Sequence, residues 1–322
     1  VPNLLDKSIK RFGLTEISLN QNHRFSTNSE MLNLDANIRK NAENPQAPSI
    51  SEVSHINFTQ YDNQVSEGLG VLNKALELSQ ANESSKVAIL VKQRGANIDK
   101  IIEIFREKNV PYFYGLFTDD DKRYVKFHRN CLAELLVLLE AGEQINNKFT
   151  TAHKEKIIDI YKDLRNDEMV SSLLNLLEIF WKKVFSDTRG LSNQEKIAII
   201  KEVFEHNGLK QYIEFVKNNI VFSTVHAAKG LEWDFVILPD MEQDLFPNWY
   251  GLCQRCTCKK DGNLLISAMN EKDYIEELSV FYVAITRARR QVYFSASSEQ
   301  IVRYGNPQKH VSCFMKLPGI AI

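Results

Sequence analysis

Apolar and polar positions follow two different periods along the chain, and the first indicates strands that alternate with helices. The run Lys86–Val91 (KVAILV) predicts a buried strand, Ile98–Lys108 an amphipathic helix and Tyr112–Tyr114 a second strand. This order implies a parallel sheet with helices packed on it. By similar patterns, strands are expected at Glu16–Leu19 and His55–Phe58, and helices at Asp6–Arg11, Met31–Lys40 and Val65–Leu78.

From about residue 119 to residue 218 only the helical period remains. Ser192 and Glu195 make a capping box, and Asn207–Gly208 supplies a helix end. A purely helical block between two α/β segments predicts an inserted all-α subdomain. Its mixed charges are equally typical of solvated helix faces. The expected helices are Lys126–Ala141, Thr151–Arg165, Met169–Val184, Gln194–His206 and Lys210–Asn218.

The α/β pattern returns in Val221–Pro239 (VFSTVHAAKGLEWDFVILP), where two apolar β-rich runs flank a polar turn. Loops held by a rigid sheet are where binding chemistry usually lies, so this turn is a candidate site. The runs are Val221–Val225 and Phe235–Leu238, and the turn carries His226, Lys229, Gly230 and Glu232. A helix at Asp273–Ala284 ended by Thr286–Arg290 (TRARR), a strand at Gln291–Ala296 and a loop-rich tail, Gly305–Ile322, complete the pattern.

Composition indicates a soluble globular protein, with 43% hydrophobic and 25% charged residues. A length of 322 residues favours two domains. The net charge of −1 gives no overall attraction to nucleic acid, so any such contact must come from local clustering of the 40 Lys and Arg. No apolar run suits a bilayer and no leader is visible, so a cytoplasmic location is expected. The chain begins with valine, which favours a piece of a longer or processed polypeptide.

The five cysteines are too few and odd in number to favour a disulfide framework. Cys253, Cys256 and Cys258 could hold zinc if Cys313 or His310 supplied a fourth ligand. The alternative is a solvent-facing loop with reduced thiols. The sequence favours that alternative, so no metal site is assigned.

Two arginines are candidates for phosphate binding, Arg24 in LNQNHRFSTN and Arg287 in TRARR. Arginine suits bidentate recognition of phosphate oxygens, but a surface charge run is the alternative. None of the 13 glycines is followed by Lys, so the sequence contains no G-x-x-x-x-G-K-[ST] phosphate loop. Asp167–Glu168 follows polar residues, which indicates a helix start rather than a metal-binding acidic pair.

Several stretches together resemble the motifs of UvrD/Rep/PcrA-type superfamily 1 DNA helicases. Thr224–Pro239 resembles the fifth conserved motif, Tyr274–Ser295 (YIEELSVFYVAITRARRQVYFS) the sixth and Leu19–Asn28 the fourth. Lys86–Tyr112 is similar to the segment that precedes the second helical insertion. The order and spacing of these stretches agree with that family across almost the whole chain.

In that family ATP binds between two RecA-like domains, and the resemblance covers only the second, domain 2A, with its helical insertion 2B. The fold implied is therefore α/β, a RecA-like parallel sheet with helices on both faces plus an inserted all-α subdomain. This is the P-loop NTPase fold of a second motor domain that lacks the P-loop. Residues 1–118 and 219–322 are expected to form the two segments of 2A, and residues 119–218 the 2B-like insertion.

The resemblance also implies roles for single residues. Arginine fingers stabilise charge on a transferring phosphoryl group, and in this family they reach the γ-phosphate from domain 2A. The cofactor implied is ATP with Mg²⁺, held mainly by an N-terminal domain. The implied residues are Arg24 and Arg287 as catalytic arginine fingers, Gly230 and Glu232 near the nucleotide with Glu232 facing the ribose, and Thr224 and His226 at the single-stranded DNA backbone.

The function implied is the C-terminal half of an ATP-dependent 3′-to-5′ DNA helicase acting on single-stranded and duplex-junction DNA, inactive as an ATPase on its own. Its partners are an N-terminal helicase domain and DNA, and the helical insertion is a candidate surface for protein partners. The alternative is a stand-alone, non-catalytic DNA- or protein-binding module derived from such a helicase. A helicase–nuclease subunit is less favoured, because no nuclease motif follows Ser295.

The chain departs from the family in three respects. His23, Arg24 and Phe25 stand where the family usually has Tyr, Arg and Ser, the insertion is shorter, and the cysteine loop is not a general family feature. These departures leave open the details of DNA engagement. The sequence is compatible with repair, replication restart, plasmid replication or phage defence as the pathway, and with DNA or an RNA–DNA hybrid as the substrate.

Overall fold

The computed structural model describes residues 2–13, 15, 25, 28–81, 85–255, 264–299 and 308–322. The α-helices of this part of the chain are α1 (Pro2–Phe12), α2 (Ser29–Glu43), α3 (Gln64–Ser79), α4 (Ala96–Glu107), α5 (Lys122–Glu140), α6 (Asn147–Ile160), α7 (Glu168–Asp187), α8 (Asn193–Glu205) and α9 (Glu271–Ile285). Its strands are β1 (Ser54–His55), β2 (Asn57–Asn63), β3 (Val87–Val91), β4 (Phe113–Gly115), β5 (Ile220–Thr224), β6 (Trp233–Leu238), β7 (Ala288–Glu299) and β8 (Ile320–Ala321). No helix in these ranges is long and apolar enough to cross a membrane.

Six strands form one sheet in the order β2-β7-β6-β3-β5-β4, and every neighbouring pair is parallel. The central strand β3 lies between β5 and β6, with Val87 opposite both Ile220 and Phe235. All five residues of β3 are buried, as expected for a strand covered on both faces. The predicted parallel sheet is therefore confirmed.

Helices cover the sheet on both faces, with α3 and α4 packed together on one face and α2 and α9 on the other. Asn63 caps α3 by accepting a hydrogen bond from the Ser66 amide at 2.9 Å. Gly68 lets α3 approach α4, because a Cβ there would lie 2.5 Å from Ile104 Cδ1. Close packing of this kind removes the apolar stripe of each helix from water.

In the sequence, the helices α5 to α8 come after β4 and before β5. These two strands are neighbours in the sheet. No strand interrupts residues 116–219, all of which are described, and the capping box of Ser192 and Glu195 is present. The α-helix predicted at Lys210–Asn218 is wrong, because the structure has a 3₁₀ helix at Gly208–Phe215. The chain enters this segment through left-handed Asn207 (φ 53°) and turns extended at Val216 on the way to β5.

The helical block is joined to the sheet by packing and by polar contacts. Helix α7 packs against β4, and its first residue, Glu168, accepts a hydrogen bond from the Tyr112 hydroxyl and pairs with Arg106 at 2.5 Å. Within the block, burial lowers the pKa of both His128 and His153 to about 4, so they are neutral core residues at pH 7. The buried apolar residues of block and sheet form one continuous core. The division at residues 118 and 218 stays a prediction.

Two further expectations need correction at the carboxyl-terminal end. Strand β7 begins at Ala288, three residues before the predicted start at Gln291, so Arg289 and Arg290 belong to the strand. Both arginines are exposed and pair with acids near the start of β6. The strand therefore starts with polar residues, which in sequence look like the end of the preceding helix. The loop-rich tail contains β8, which pairs with β1 in a separate two-stranded sheet. The strand predicted at Glu16–Leu19 lies outside the described residues.

Candidate functional site

Residues 225–232 connect the carboxyl end of β5 to the amino end of β6. These strands are parallel and flank β3. The connector must therefore run from the carboxyl ends of the strands, called the carboxyl edge, to their amino ends, called the amino edge. It does so without a helix, although most parallel crossovers use one. Ala227 and Ala228 are small and buried, which lets the connector lie close to the sheet. His226 consequently stands at the carboxyl edge of the sheet, whereas Glu232 stands at the amino edge.

Thr224 and His226, the two predicted DNA contacts, differ in exposure. Thr224 is 2% exposed, and its hydroxyl accepts a hydrogen bond from the Ala227 amide at 3.1 Å. The Ala228 amide donates to the Thr224 carbonyl at 2.9 Å, so Thr224 holds the turn on both sides. His226 is exposed at the surface of that turn. A ligand at the carboxyl edge can therefore reach His226. Buried Thr224 instead holds the turn that carries His226.

Gly230 and Glu232, the predicted nucleotide neighbours, lie where the connector arrives at the amino edge. Gly230 has a φ of +90°, a conformation that glycine adopts readily and other residues rarely do. A Cβ at this position would meet only Gln211 Oε1, at 3.6 Å, so the backbone here is open to a ligand. Glu232 is half-buried, and its carboxylate pairs with Arg289 at 3.3 Å.

Arg287, the second predicted arginine finger, is half-buried at the same edge and bonds to groups of this chain. Its Nε donates to the Val283 carbonyl at 3.0 Å and its Nη1 to the Leu231 carbonyl at 3.1 Å. Its Nη2 donates to the Thr286 hydroxyl at 3.1 Å. The guanidinium therefore joins the end of α9 to the end of the connector, a structural role that the motif does not reveal.

Arg24, the first predicted arginine finger, lies outside the described residues, but residues on its carboxyl-terminal side are described. Phe25 is 1% exposed, and its carbonyl accepts a hydrogen bond from the Asn28 amide at 2.8 Å. The Asn28 side chain donates to the Arg290 carbonyl at 2.9 Å and to Gln291 Oε1 at 2.7 Å. The structure thus brings the end of the fourth-motif stretch to the start of β7.

The amino edge concentrates cationic groups that suit an anion. Arg289 and Arg290 have side chains that are 55% and 53% exposed, and Arg290 approaches Asp234 at 3.6 Å. Guanidinium groups beside an open glycine fit the oxygens of phosphates, and a carboxylate such as Glu232 can accept hydrogen bonds from ribose hydroxyls. In the part of the chain that the structure describes, no three His, Cys, Asp or Glu side chains converge on a metal position.

Sequence reasoning missed an ion pair at the carboxyl edge, between Lys92 and Glu277. Lys92 directly follows β3, and its ammonium group donates to Glu277 on α9. Burial lowers the pKa of Lys92 even though Glu277 favours its charged form. Glu277 also accepts a hydrogen bond from the Asn248 amide at 3.1 Å, so it joins α9 to the loop after β6. A signal existed, because Glu277 follows Tyr274 at a helical spacing on the buried face of α9.

Three carboxylic acids, buried Glu67, half-buried Asp240 and buried Glu242, lie beneath the same edge. Asn97 Nδ2 donates to Glu67 at 2.9 Å and to Asp240 at 2.5 Å. Burial, together with the charge of Glu67, raises the pKa of Asp240 to about 7 and that of Glu242 to about 9. At pH 7 Glu242 is therefore protonated in the folded chain. Glu67 was detectable in sequence, since it lies on the apolar side of a predicted helix.

The cysteine cluster is described only in part. Cys253 is 1% exposed, and its thiol donates to the Pro247 carbonyl at 3.2 Å. Cys313 is also buried, whereas His310 is exposed. Cys256 and Cys258 lie outside the described residues.

Comparison with known proteins finds similarity to DNA helicases of the family that the motif stretches resemble. The family model for the UvrD-like helicase C-terminal domain matches residues 121–299, more than half of the chain. A probable DNA helicase II homolog of Mycoplasma genitalium is 32% identical over 165 residues, which is 50% of this chain and 19% of that protein. DNA helicase II of Rickettsia typhi is 26% identical over 212 residues, 64% of this chain and 27% of that protein.

A third relative extends the same comparison. ATP-dependent DNA helicase PcrA of Staphylococcus aureus is 31% identical over 101 residues, 31% of this chain and 12% of that protein. The matched segments therefore span between about an eighth and about a quarter of these curated relatives.

Proposed function

Because the chain belongs to the UvrD-like helicase C-terminal domain family, we propose that it is the carboxyl-terminal part of an ATP-dependent 3′-to-5′ DNA helicase. It supplies arginine fingers and single-stranded DNA contacts to an ATP site shared with an N-terminal RecA-like domain. The names of the relatives support the choice of DNA and ATP, since they are DNA helicases and one is ATP-dependent. The direction of movement and the need for Mg²⁺ rest on the motif resemblance alone.

The observation that supports this proposal most directly is the meeting of three motif stretches at the amino edge. Asn28 ends the fourth-motif stretch and bonds to Arg290 and Gln291 in the sixth. Arg287 of the sixth stretch bonds to Leu231 in the fifth. Residues far apart in sequence therefore meet at one edge, where Arg289 pairs with Glu232 and Arg290 with Asp234, and this meeting supports a shared nucleotide site.

At this surface each side chain has a distinct task in the proposed mechanism. Arg24 and Arg287 hold the γ-phosphate, and Glu232 accepts hydrogen bonds from the ribose. When bound, ATP supplies the phosphoanhydride bond whose hydrolysis drives the cycle. Gly230 leaves room for the nucleotide because it carries no side chain. Arg287 also keeps the connector against α9, so a shift of its guanidinium moves the connector as well.

The connector offers a short physical route between the two ligands. Strand β5 has five residues, which corresponds to roughly 16 Å between the two edges of the sheet. Residues 225–232 cover this span with His226 at one end and Glu232 at the other. In the proposal, closure of the domains around ATP changes the connector at its amino-edge end, and His226 changes its grip on the DNA backbone in response.

The test uses the full-length protein that contains the phosphate-loop domain, assayed for ATP turnover with single-stranded DNA. We expect Arg24→Ala to lower turnover by roughly 10³-fold or more, because an arginine finger contributes about 10³–10⁵ in rate. Arg165→Ala, in an exposed arginine of the helical block, is the matched control and should leave turnover unchanged.

Two outcomes contradict the proposal in different ways. Turnover that survives Arg24→Ala unchanged removes the arginine-finger role. A protein that binds DNA through His226 but contains no phosphate-loop domain would instead be the stand-alone binding module derived from such a helicase.

A further inference from the structure

An exposed aromatic pair stands on the loop that follows β6. Tyr250 is 87% exposed and its neighbour Trp249 is 39% exposed. The residues on either side point inward, since Phe246 and Leu252 are 2% and 0% exposed. The rings of Trp249 and Tyr250 therefore stand at the surface between two buried side chains, and further along the same loop Leu265 and Met269 are exposed as well, at 59% and 86%.

Hydrogen bonds hold this loop in one shape. The Asn248 amide donates to Glu277 on α9 at 3.1 Å, and Asn248 Oδ1 accepts from the Gly251 amide at 3.0 Å. The Gln254 amide donates to the Trp249 carbonyl at 2.9 Å. A Cβ at Gly251 would lie 2.5 Å from Glu277 Oε1, so glycine permits this close approach to α9. The aromatic rings are thus presented by a preorganised backbone, which lowers the entropic cost of binding.

The loop lies at the same edge of the sheet as His226. Glu277, which holds the loop, also binds Lys92 at the end of β3. The Val225 amide donates to the Val91 carbonyl at 2.9 Å, so the turn that carries His226 begins beside Lys92. A cavity of about 180 Å³ separates the loop after β6 from the loop after β3.

A cationic side chain, Arg94, lies at this edge in the loop after β3. It donates to the hydroxyl of buried Tyr114 at 3.0 Å and pairs with Asp99 at 3.0 Å. Its side chain remains 56% exposed. Single-stranded nucleic acid is bound by exposed rings on which its bases stack and by cations that meet its backbone.

We propose that Tyr250, with Trp249 beside it, is a stacking platform for a base of single-stranded DNA bound along the carboxyl edge. This inference rests on the proposed function and adds the position of a base to it. A base is the occupant argued for, because the pair stands at the same edge of the sheet as the exposed side chains of His226 and Arg94, and exposed rings beside such groups stack on bases.

The experiment measures binding of the 322-residue chain to a fluorescein-labelled single-stranded DNA of about 15 nucleotides, by anisotropy. We expect Tyr250→Ala and Tyr250→Leu each to weaken binding roughly 5- to 100-fold, the range for loss of one stacked base. Tyr250→Phe keeps a ring and should bind like the wild type. Met269→Ala, at a side chain that is 86% exposed, is the control for loss of exposed apolar surface and should have no effect.

A second strand separates stacking from other contacts. On a DNA of the same length made entirely of abasic sites, Tyr250→Ala should bind as the wild type does, because no base is present to stack. Equal binding of Tyr250→Leu and wild type on normal DNA would overturn the proposal in favour of a simple apolar contact.

The failures of the two proposals can be told apart. If Tyr250→Ala binds normally while His226→Ala binds weakly, the stacking platform is wrong and the proposed function stands. If the wild-type chain does not bind single-stranded DNA at all, the proposed DNA contacts are wrong and the platform is wrong with them.

Discussion

Replacement of Arg287 by alanine should destabilise the folded chain. The guanidinium makes three hydrogen bonds within the chain, two of them to the carbonyl oxygens of Val283 and Leu231. The Leu231 bond joins residues that are 56 positions apart in sequence, so it exists only in the folded chain. A residue whose single role was to contact a phosphate bound by a second domain would not stabilise the folded chain in this way.

The size of the effect follows from these bonds. A hydrogen bond from a charged donor contributes about 1.5–3 kcal/mol net, and the low end applies here because Arg287 is half-buried and water can reach its partners. The bond to Thr286 is local and adds little. The two carbonyl bonds then give about 3 kcal/mol for Arg287→Ala. Lysine has one compact ammonium group in place of the planar fork, so Arg287→Lys should recover only part of this.

The assay is urea unfolding of the 322-residue chain at pH 7, followed by far-UV circular dichroism. Arg289→Ala is the matched control, because its side chain is 55% exposed and its pair with Glu232 is a surface ion pair, which contributes about 0–1 kcal/mol. A loss of under about 0.5 kcal/mol for Arg287→Ala, or one equal to the control, would refute the reasoning.

Two further predictions concern stability. The pKa of Glu242 is about 9 when folded, against an ordinary 4.5, so the contribution of Glu242 to stability is fully present below pH 4.5 and is lost toward pH 9, by up to about 1.4 kcal/mol per pH unit. Glu242→Gln should make this slope shallower in urea titrations at pH 5 and pH 8, and an unchanged slope would contradict the burial argument. Gly230→Ala should cost about 1–2 kcal/mol because its φ is +90°. Gly95→Ser, at the extended N-cap of α4 with open space around it, should not lower the thermal midpoint, because serine is favoured at an N-cap. Equal midpoints for the two variants would exclude strain at Gly230.

Much of the architecture could be predicted because it depends on residues close together in sequence. The buried run of β3, the capping box of α8 and the start of α7 at Glu168 all follow from local patterns, and the structure confirms them. The helix predicted at Lys210–Asn218 is wrong because a helical period cannot distinguish an α-helix from a 3₁₀ helix that must turn back into a strand.

The candidate site was less accessible from sequence. Its motif residues were identified, but the buried acids and the Lys92–Glu277 pair were not, because their partners come from distant elements. The exposed Tyr250 was also missed, since exposure depends on which side chains of its loop turn inward.

The sequence by itself determined the elements, the family resemblance and the chemical types in the connector between β5 and β6. Only the tertiary structure decided that the two ends of this connector lie at opposite edges of the sheet. The physical reason is the direction of the strands: β5 and β6 both run parallel to β3, so the chain must return from the carboxyl end of β5 to the amino end of β6. Hydrogen bonds along the sheet are set by pairing partners that can be more than 100 residues away, as for Val87 and Ile220. Local periodicity carries no information about such partners, so it could not show that His226 and Glu232 stand at opposite edges of the sheet.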